Sequence, residues 1–386
     1  MSKRLQVDFA GLKLAHPLVA ASAGTTKDAE HSFRAQEAGF SAVVLKSVQE
    51  ELVNRYNPLP RFSIVKSGIP GYNSVSFLSY EQAFEGDIHD YAEMVRETRR
   101  RLSIPVIASI NCIEYESWAT YAKIVEQAGA DAVEMVPSCP AGAFIRKGEE
   151  FTPIAANVLR AVKVKVKIPA GIKMTQQLSN PVACAVTLEQ EGSHWVTMFN
   201  RNPGLHIDIE TMSAIMHRSA CGHGGPWVAL AITRWVAHAY PHLKIPISAT
   251  GGVTRWEDVI RYLLAGAANV QIASLIYMKG YDVVKEMLGS IEGYLDRMGI
   301  ESIQNLIGRA VSELQPLEAV DRSCRYLAVV THRCVNCGKC KNICLYDAID
   351  FKGETPSINP DLCDGCGLCE QICGGAILMK RIVPQN

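Results

Sequence analysis

The chain carries no surplus of either charge: 39 Lys and Arg stand against 39 Asp and Glu among 386 residues. A basic excess is what phosphate backbones and anionic lipid surfaces select, so nucleic acid and membrane are not expected as partners. No apolar run reaches the length of a membrane span. The opening residues, Met-Ser-Lys-Arg-Leu-Gln-Val-Asp, lack the apolar stretch of a secretory signal, so a cytoplasmic protein is expected. Low-complexity tracts are also missing. At 48% hydrophobic and 20% charged residues the composition is that of a globular protein. Its length exceeds one ordinary core and points to two domains.

Cysteine, by contrast, is plentiful, with 13 residues. Eight of them form two copies of C-x2-C-x2-C-x3-C near the C-terminus. The first copy is Cys334, Cys337, Cys340 and Cys344; the second is Cys363, Cys366, Cys369 and Cys373. This is the spacing that wraps a [4Fe–4S] cluster. One such run also suits zinc, but two in tandem resemble a bacterial two-cluster ferredoxin. The resemblance implies that each cluster takes three cysteines from one run and the last from the other. Cys334, Cys337, Cys340 and Cys373 would hold one cluster, and Cys363, Cys366, Cys369 and Cys344 the other. Leu345 and Gly374 stand where such ferredoxins usually carry a proline, a departure that leaves the ligands intact. Disulfides would need an oxidising compartment. Four of the remaining cysteines, Cys112, Cys184, Cys221 and Cys324, read as small buried hydrophobes. Cys139 stands apart for a reason given below.

Residues 1–290 alternate β-rich runs with helical stretches. Eight strands are expected: Leu18–Ala23, Ala42–Lys46, Val106–Ile110, Ala132–Val136, Ala170–Met174, Trp195–Asn200, Pro246–Ala249 and Asn269–Ala273. Helices are expected between them, several ending in a C-cap glycine such as Gly39, Gly129, Gly192 or Gly266. Eight βα units over about 250 residues match a (β/α)8 TIM barrel, an α/β fold; an open doubly wound sheet is the structural rival. Residues 291–330 read as a helical linker, and 331–386 as a ferredoxin-like domain with two [4Fe–4S] clusters. Barrel chemistry sits at the C-terminal ends of the strands. Polar residues and glycines collect there, and Lys46 and Lys173 each end a strand. A lysine at such a place is costly to bury unless it faces an anion or a ligand. Gly251 and Gly252 follow strand seven and Ser274 follows strand eight, where barrels often bind phosphate.

Six tracts, Ala-Ser-Ala-Gly-Thr-Thr (21–26), Val-Val-Leu-Lys-Ser (43–47), Val-Ile-Ala-Ser-Ile (106–110), Ser-Cys-Pro (138–140), Lys-Met-Thr (173–175) and Ala-Thr-Gly-Gly (249–252), together with the cysteine runs, resemble the dihydroorotate and dihydropyrimidine dehydrogenases. The resemblance spans nearly the whole chain and implies an FMN-binding barrel. Lys46 and Lys173 would contact the flavin, with Ser22, Ala23, Asn111, Thr175 and Asn200 lining it. Gly224, Gly225, Gly251, Gly252, Ala273 and Ser274 would hold its phosphate. Asn73, Ser138, Asn200 and Arg201 would meet the substrate, and Cys139 would be the general acid or base. Chemistry supports that last role. Reducing a C=C bond conjugated to a carbonyl needs a hydride on one carbon and a proton on the other, and a thiol with pKa near 8.5 is protonated at neutral pH. The Gly-containing loop from Pro140 to Glu150 has the composition of a lid.

The chain departs from the pyrimidine-reducing pattern at two places. Val136 replaces an Asn that contacts the ring, and Arg201 follows Asn200 where a Thr is usual. Arg201, with His206, suits a carboxylate, so a different, carboxylated ring is the alternative substrate. Two rivals stand beside this reading. A pure flavin and iron–sulfur electron-transfer subunit would have no use for Cys139, and a dihydroorotate dehydrogenase catalytic subunit would lack the fused clusters. Gly222 to Gly225 reads as a loop, not a strand–turn–helix nicotinamide fingerprint. The expected donor is therefore a flavoprotein subunit linked to NAD(P)H, or a ferredoxin, in a homodimer or hetero-oligomer.

Overall fold

The computed structural model describes residues 3–51, 59–69, 72–80, 83–138, 150–215, 220–321, 325–351 and 355–382. The chain forms two compact units, residues 1–313 and 314–386.

The first unit is a closed barrel. Its strands are β1 (Leu18–Ala20), β2 (Val43–Val44), β3 (Val106–Asn111), β4 (Ala132–Met135), β5 (Ala170–Lys173), β6 (Val196–Met198), β7 (Ile247–Thr250) and β8 (Ala267–Ile272). Each pairs in parallel with the next, and β8 returns to β1 with Val270 opposite Leu18. That last pairing removes the free edges an open doubly wound sheet would have. All eight strands stand where the apolar runs placed them, and most are shorter. Residues such as Ala21–Ala23 and Asn200 leave the ladder early, which frees them for the mouth of the barrel.

The helices α1 (Ala29–Ala38), α2 (Ile88–Arg101), α3 (Tyr115–Gln127), α4 (Phe151–Lys163), α5 (Pro181–Gln190), α6 (Ala229–Ala239), α7 (Trp256–Ala265) and α8 (Val283–Arg297) follow the strands in turn. Local chemistry sets their ends. Asp28 caps α1 by accepting the His31 N–H, and Asn180 caps α5 with Pro181 in the first turn. Gly39 and Gly266 close α1 and α7 in the left-handed region, at φ 107° and 115°. Helix α8 runs across position 290. It buries Ile291 and Leu295 in the barrel's core, and Ile300, Ile303 and Leu306 follow them inside. The apolar spacing of 291–306 thus docks this stretch on the barrel and does not leave it as a linker.

At the N-terminal end of the barrel the hairpin Val7–Phe9/Leu12–Leu14 sets Phe9 against Trp195, with ring centroids 5.4 Å apart. The indole of Trp195 is fully buried and lies so close over Gly171 that a Cβ there would overlap it. Gly171→Ala is therefore expected to destabilise the barrel by about 1–3 kcal/mol, the usual cost of overpacking. Equilibrium urea unfolding followed by tryptophan fluorescence checks this.

In the second unit, strand Arg325–Val330 pairs antiparallel with Ile377–Ile382, and Ile349–Phe351 with Pro356–Ile358. Two short helices, Lys339–Asn342 and Leu368–Cys373, carry the cysteine runs. Its buried core is small, formed by Ala328, Cys340, Ile349, Cys369 and Ile377. Units of this size usually need a metal or disulfide staple. Among the described residues no helix is long and apolar enough to cross a membrane.

Candidate functional site

One cleft opens at the C-terminal ends of the barrel strands and encloses about 1170 Å³, its open mouth included. It gathers Ser22, Ala23, Lys46, Asn111, Lys173, Asn200, Arg201, Gly224, Gly225, Gly251, Gly252, Ala273 and Ser274, contributed by the ends of many different strands. Thr175 does not line it; its hydroxyl accepts the Gln177 N–H and shapes the turn after β5. Ser138 reaches the cleft through Asn200, whose Nδ2 donates to the Ser138 hydroxyl at 3.2 Å. His206 is not among the lining residues. Asn73 sits on strand Tyr72–Ser79 opposite Gly68, and its side chain lies outside the described residues. Cys139 and residues 140–149 of the expected lid also lie outside them.

Two polar networks support the cleft. Near its rim, Ser47 links the ends of three strands: its hydroxyl meets Ser22 at 3.1 Å and Ser109 at 2.7 Å. Beneath it, Lys173 Nζ donates to Glu134 Oε1 at 3.3 Å and to Gln271 Oε1 at 3.2 Å. The other oxygen of Glu134 accepts from Thr197 at 2.6 Å and from Gln271 Nε2 at 2.8 Å. Glu134 is fully buried and Lys173 nearly so, and the carboxylate meets three polar side chains, Lys173, Thr197 and Gln271. A buried charge persists only when paired and hydrogen-bonded in this way. Lys46, also buried, lines the same cleft.

A four-stranded antiparallel sheet flanks the mouth, in the order Asn202–Gly204, Cys221–Gly224, Tyr72–Ser79, Phe62–Ile69. Gly222 to Gly224 are therefore strand and not loop: Gly222 pairs with Ser79 and Gly224 with Phe77. Arg201 donates to the Ser79 hydroxyl. Its guanidinium lies flat against Gly222, where a Cβ would stand 2.5 Å from Arg201 Cζ. Phe62, Phe77 and Tyr277 form an aromatic cluster along the cleft, with centroids 5.0 to 5.9 Å apart. The His223 imidazole packs on Trp227 at 4.7 Å, and burial lowers its pKa, which favours the neutral ring. Sequence reasoning missed this sheet with its aromatics, and Gln271 and Glu134 below it. The turn tract Gly-Ile-Pro-Gly (68–71) is the local signal that marks the hairpin.

The residues present fit FMN. Both loops that would meet its phosphate need backbone at close range: a Cβ at Gly252 would stand 2.8 Å from the Ala229 nitrogen, and one at Gly225 would overlap the Val75 carbonyl. Glycine at such positions lets N–H groups approach an anion. The buried Lys46 and Lys173 line the same cleft. Val136, at 5% exposure, presents an apolar wall, and its carbonyl is tied to Asn111 Nδ2 at 2.8 Å.

In the second unit, Cys334, Cys337, Cys340 and Cys373 line one cavity, while Cys344, Cys363, Cys366 and Cys369 line another. Burial raises the Cys340 thiol pKa, and the neighbouring Cys373 and Cys334 push it the same way. Cys369 is raised by burial too, with Cys366 and Cys363 adding to it. Four sulfur donors around each cavity suit a [4Fe–4S] cluster.

The model of the dihydroorotate dehydrogenase family matches residues 4–295, and that of the 4Fe-4S dicluster domain matches residues 333–375. The chain is 28% identical to the NAD-dependent dihydropyrimidine dehydrogenase subunit PreA of Escherichia coli (strain K12), over 97% of this chain and 94% of that one. It is 30% identical to the catalytic subunit of dihydroorotate dehydrogenase B (NAD(+)) of Thermococcus kodakarensis, over 80% of this chain and 98% of that one. The corresponding subunit of Pyrococcus horikoshii is also 30% identical, over 81% and 99%.

Proposed function

This chain belongs to the dihydroorotate dehydrogenase family, and from that premise we propose that it reduces, or in reverse forms, the C=C bond of a pyrimidine ring. It is an oxidoreductase of CH–CH bonds with FMN in its barrel and two [4Fe–4S] clusters in its C-terminal unit. The observation that carries the substrate reading is a flavin-type cleft and a dicluster unit on one chain, aligned over nearly its full length with the dihydropyrimidine dehydrogenase subunit.

When bound, FMN supplies two-electron transfer to or from a ring carbon, and the clusters supply electrons singly. The chain's own residues do the rest. Lys173, held in place by Glu134 and Gln271, sets a positive charge where negative charge accumulates on reduction. Asn200, braced by Ser138, presents an amide to the ring. Cys139 moves a proton between its Sγ and the second carbon of the double bond. Phe62, Phe77 and Tyr277 keep water from the reacting face. The eight cysteines serve as cluster ligands in the two groups of four described above.

Electrons come from outside the chain. The matched relatives are named as subunits, which supports a second polypeptide, an NAD(P)H-linked flavoprotein or a ferredoxin, in a homo- or hetero-oligomer. A reducing cytoplasm suits the clusters. Arg201 favours a second reading, a carboxylated ring, because it lines the cleft next in sequence to Asn200.

The test is anaerobic. The loaded protein is reduced with dithionite, freed of excess, and mixed with uracil or thymine. Rapid return of the oxidised flavin absorbance is expected. No return, with flavin and clusters intact, overturns the pyrimidine reading, and return only with a carboxylated ring assigns the cleft to Arg201's ligand class.

A further inference from the structure

The two cysteine runs match in the solvent exposure of their ligands and differ in the charge around them. Cys334 and Cys363 are half-buried, Cys337 and Cys366 exposed, Cys340 and Cys369 buried, Cys344 and Cys373 half-buried. Each run places a short helix behind its third cysteine, after a glycine in the left-handed region at Gly338 and Gly367. Solvent access therefore does not distinguish one cavity from the other.

The charged side chains around them do. The first run carries Arg333, Lys339 and Lys341, and the second carries Asp361, Asp364 and Glu370. Arg333 and Lys339 line the first cavity, and Asp364 lines the second. These charges are not cancelled locally to the same degree. Lys341 is offset by Asp350 at 3.3 Å, whereas Asp364 has a neutral partner, the Tyr346 hydroxyl, and Glu370 accepts the Met379 N–H. Reduction adds one negative charge to a cluster. Cations at its edge stabilise that charge and carboxylates oppose it, and local net charge is one of the terms that sets a cluster's potential.

We propose that the two clusters are electronically unequal, and that the one held by Cys334, Cys337, Cys340 and Cys373 has the higher reduction potential and fills first. This rests on the cluster assignment given under the proposed function. A single electron entering the unit then settles at the basic site. The acidic site is occupied only when a second electron follows or as a transient relay.

The test is a redox titration of the full-length, cluster-loaded chain, read by electron paramagnetic resonance at low temperature. Two midpoints are expected, separated by a factor of ten or more in the reduction equilibrium, which is 59 mV for one electron. Replacing Arg333→Gln with Lys339→Gln lowers the upper midpoint alone. Replacing Asp361→Asn with Asp364→Asn raises the lower one alone. Raising the salt to 1 M narrows the gap in the unaltered protein, because surface charge is screened. Coincident midpoints, or a lower midpoint that moves with the Arg333/Lys339 pair, overturn the inference while leaving the cluster assignment standing. Iron analysis short of two four-iron clusters overturns the assignment itself, and the inference with it.

Discussion

Glu134→Ala is expected to cost about 3–5 kcal/mol of stability, although Glu134 lines no part of the cleft, because it strands a buried cation. Lys173 and Glu134 are 8% and 0% exposed in their side chains, so the pair is desolvated on the Glu134 side. The variant also leaves Thr197 and one arm of Gln271 without their acceptor. All five tryptophans fall between residues 118 and 256, so their fluorescence in urea reports the barrel alone. Adding Lys173→Met is expected to restore part of the loss, since it removes the stranded charge while the alanine still leaves a cavity. It should not restore flavin retention, because the charge facing the cleft is gone. A Glu134→Ala barrel within 1 kcal/mol of the parent would mean that the pair is not the keystone of the interior.

The second large effect falls on turnover. Cys139→Ala is expected to slow substrate reduction by about 10²–10⁴-fold, the range for losing a positioned general acid or base. Cys139→Ser should lie close to it, since a hydroxyl is a far weaker acid than a thiol near pKa 8.5. Flavin content, cluster content and reduction by dithionite should be unchanged in both. Single-turnover reoxidation in a stopped-flow instrument separates the chemical step from substrate binding. Unchanged turnover in both variants would remove Cys139 from the proposed chemistry and revive the electron-transfer-only rival.

The barrel was legible because its strands are short apolar runs with polar ends, several of them following a glycine-capped helix, as at Ala35–Gly39 and Leu263–Gly266. Those same polar ends announced the cleft. What escaped was long-range. Glu134 and Gln271 sit inside strands that otherwise read as core, and they meet although 137 positions apart. Nothing local marks them as partners. The flanking sheet escaped for a different reason. Phe62 and Ile64 are largely exposed, at 37% and 51%, so their strand buries no regular face and the period-2 pattern has no core to point to. The helical stretch after residue 290 was misassigned because amphipathic spacing alone does not say which body a helix packs on. Thr175 stands in the expected Lys-Met-Thr tract, and its hydroxyl accepts the Gln177 N–H in the turn after β5.

The sheet beside the cleft is woven from two excursions of the chain, one after β2 and one after β6, joined where Gly222 meets Ser79 and Gly224 meets Phe77. Arg201 is clamped at that seam. Each excursion pairs within itself, and the seam joins them into one sheet despite more than a hundred residues between them. A lineage, or an engineer, that transplants only one into a sister barrel leaves an unpaired strand edge and a loose arginine. Moving both together keeps that seam intact.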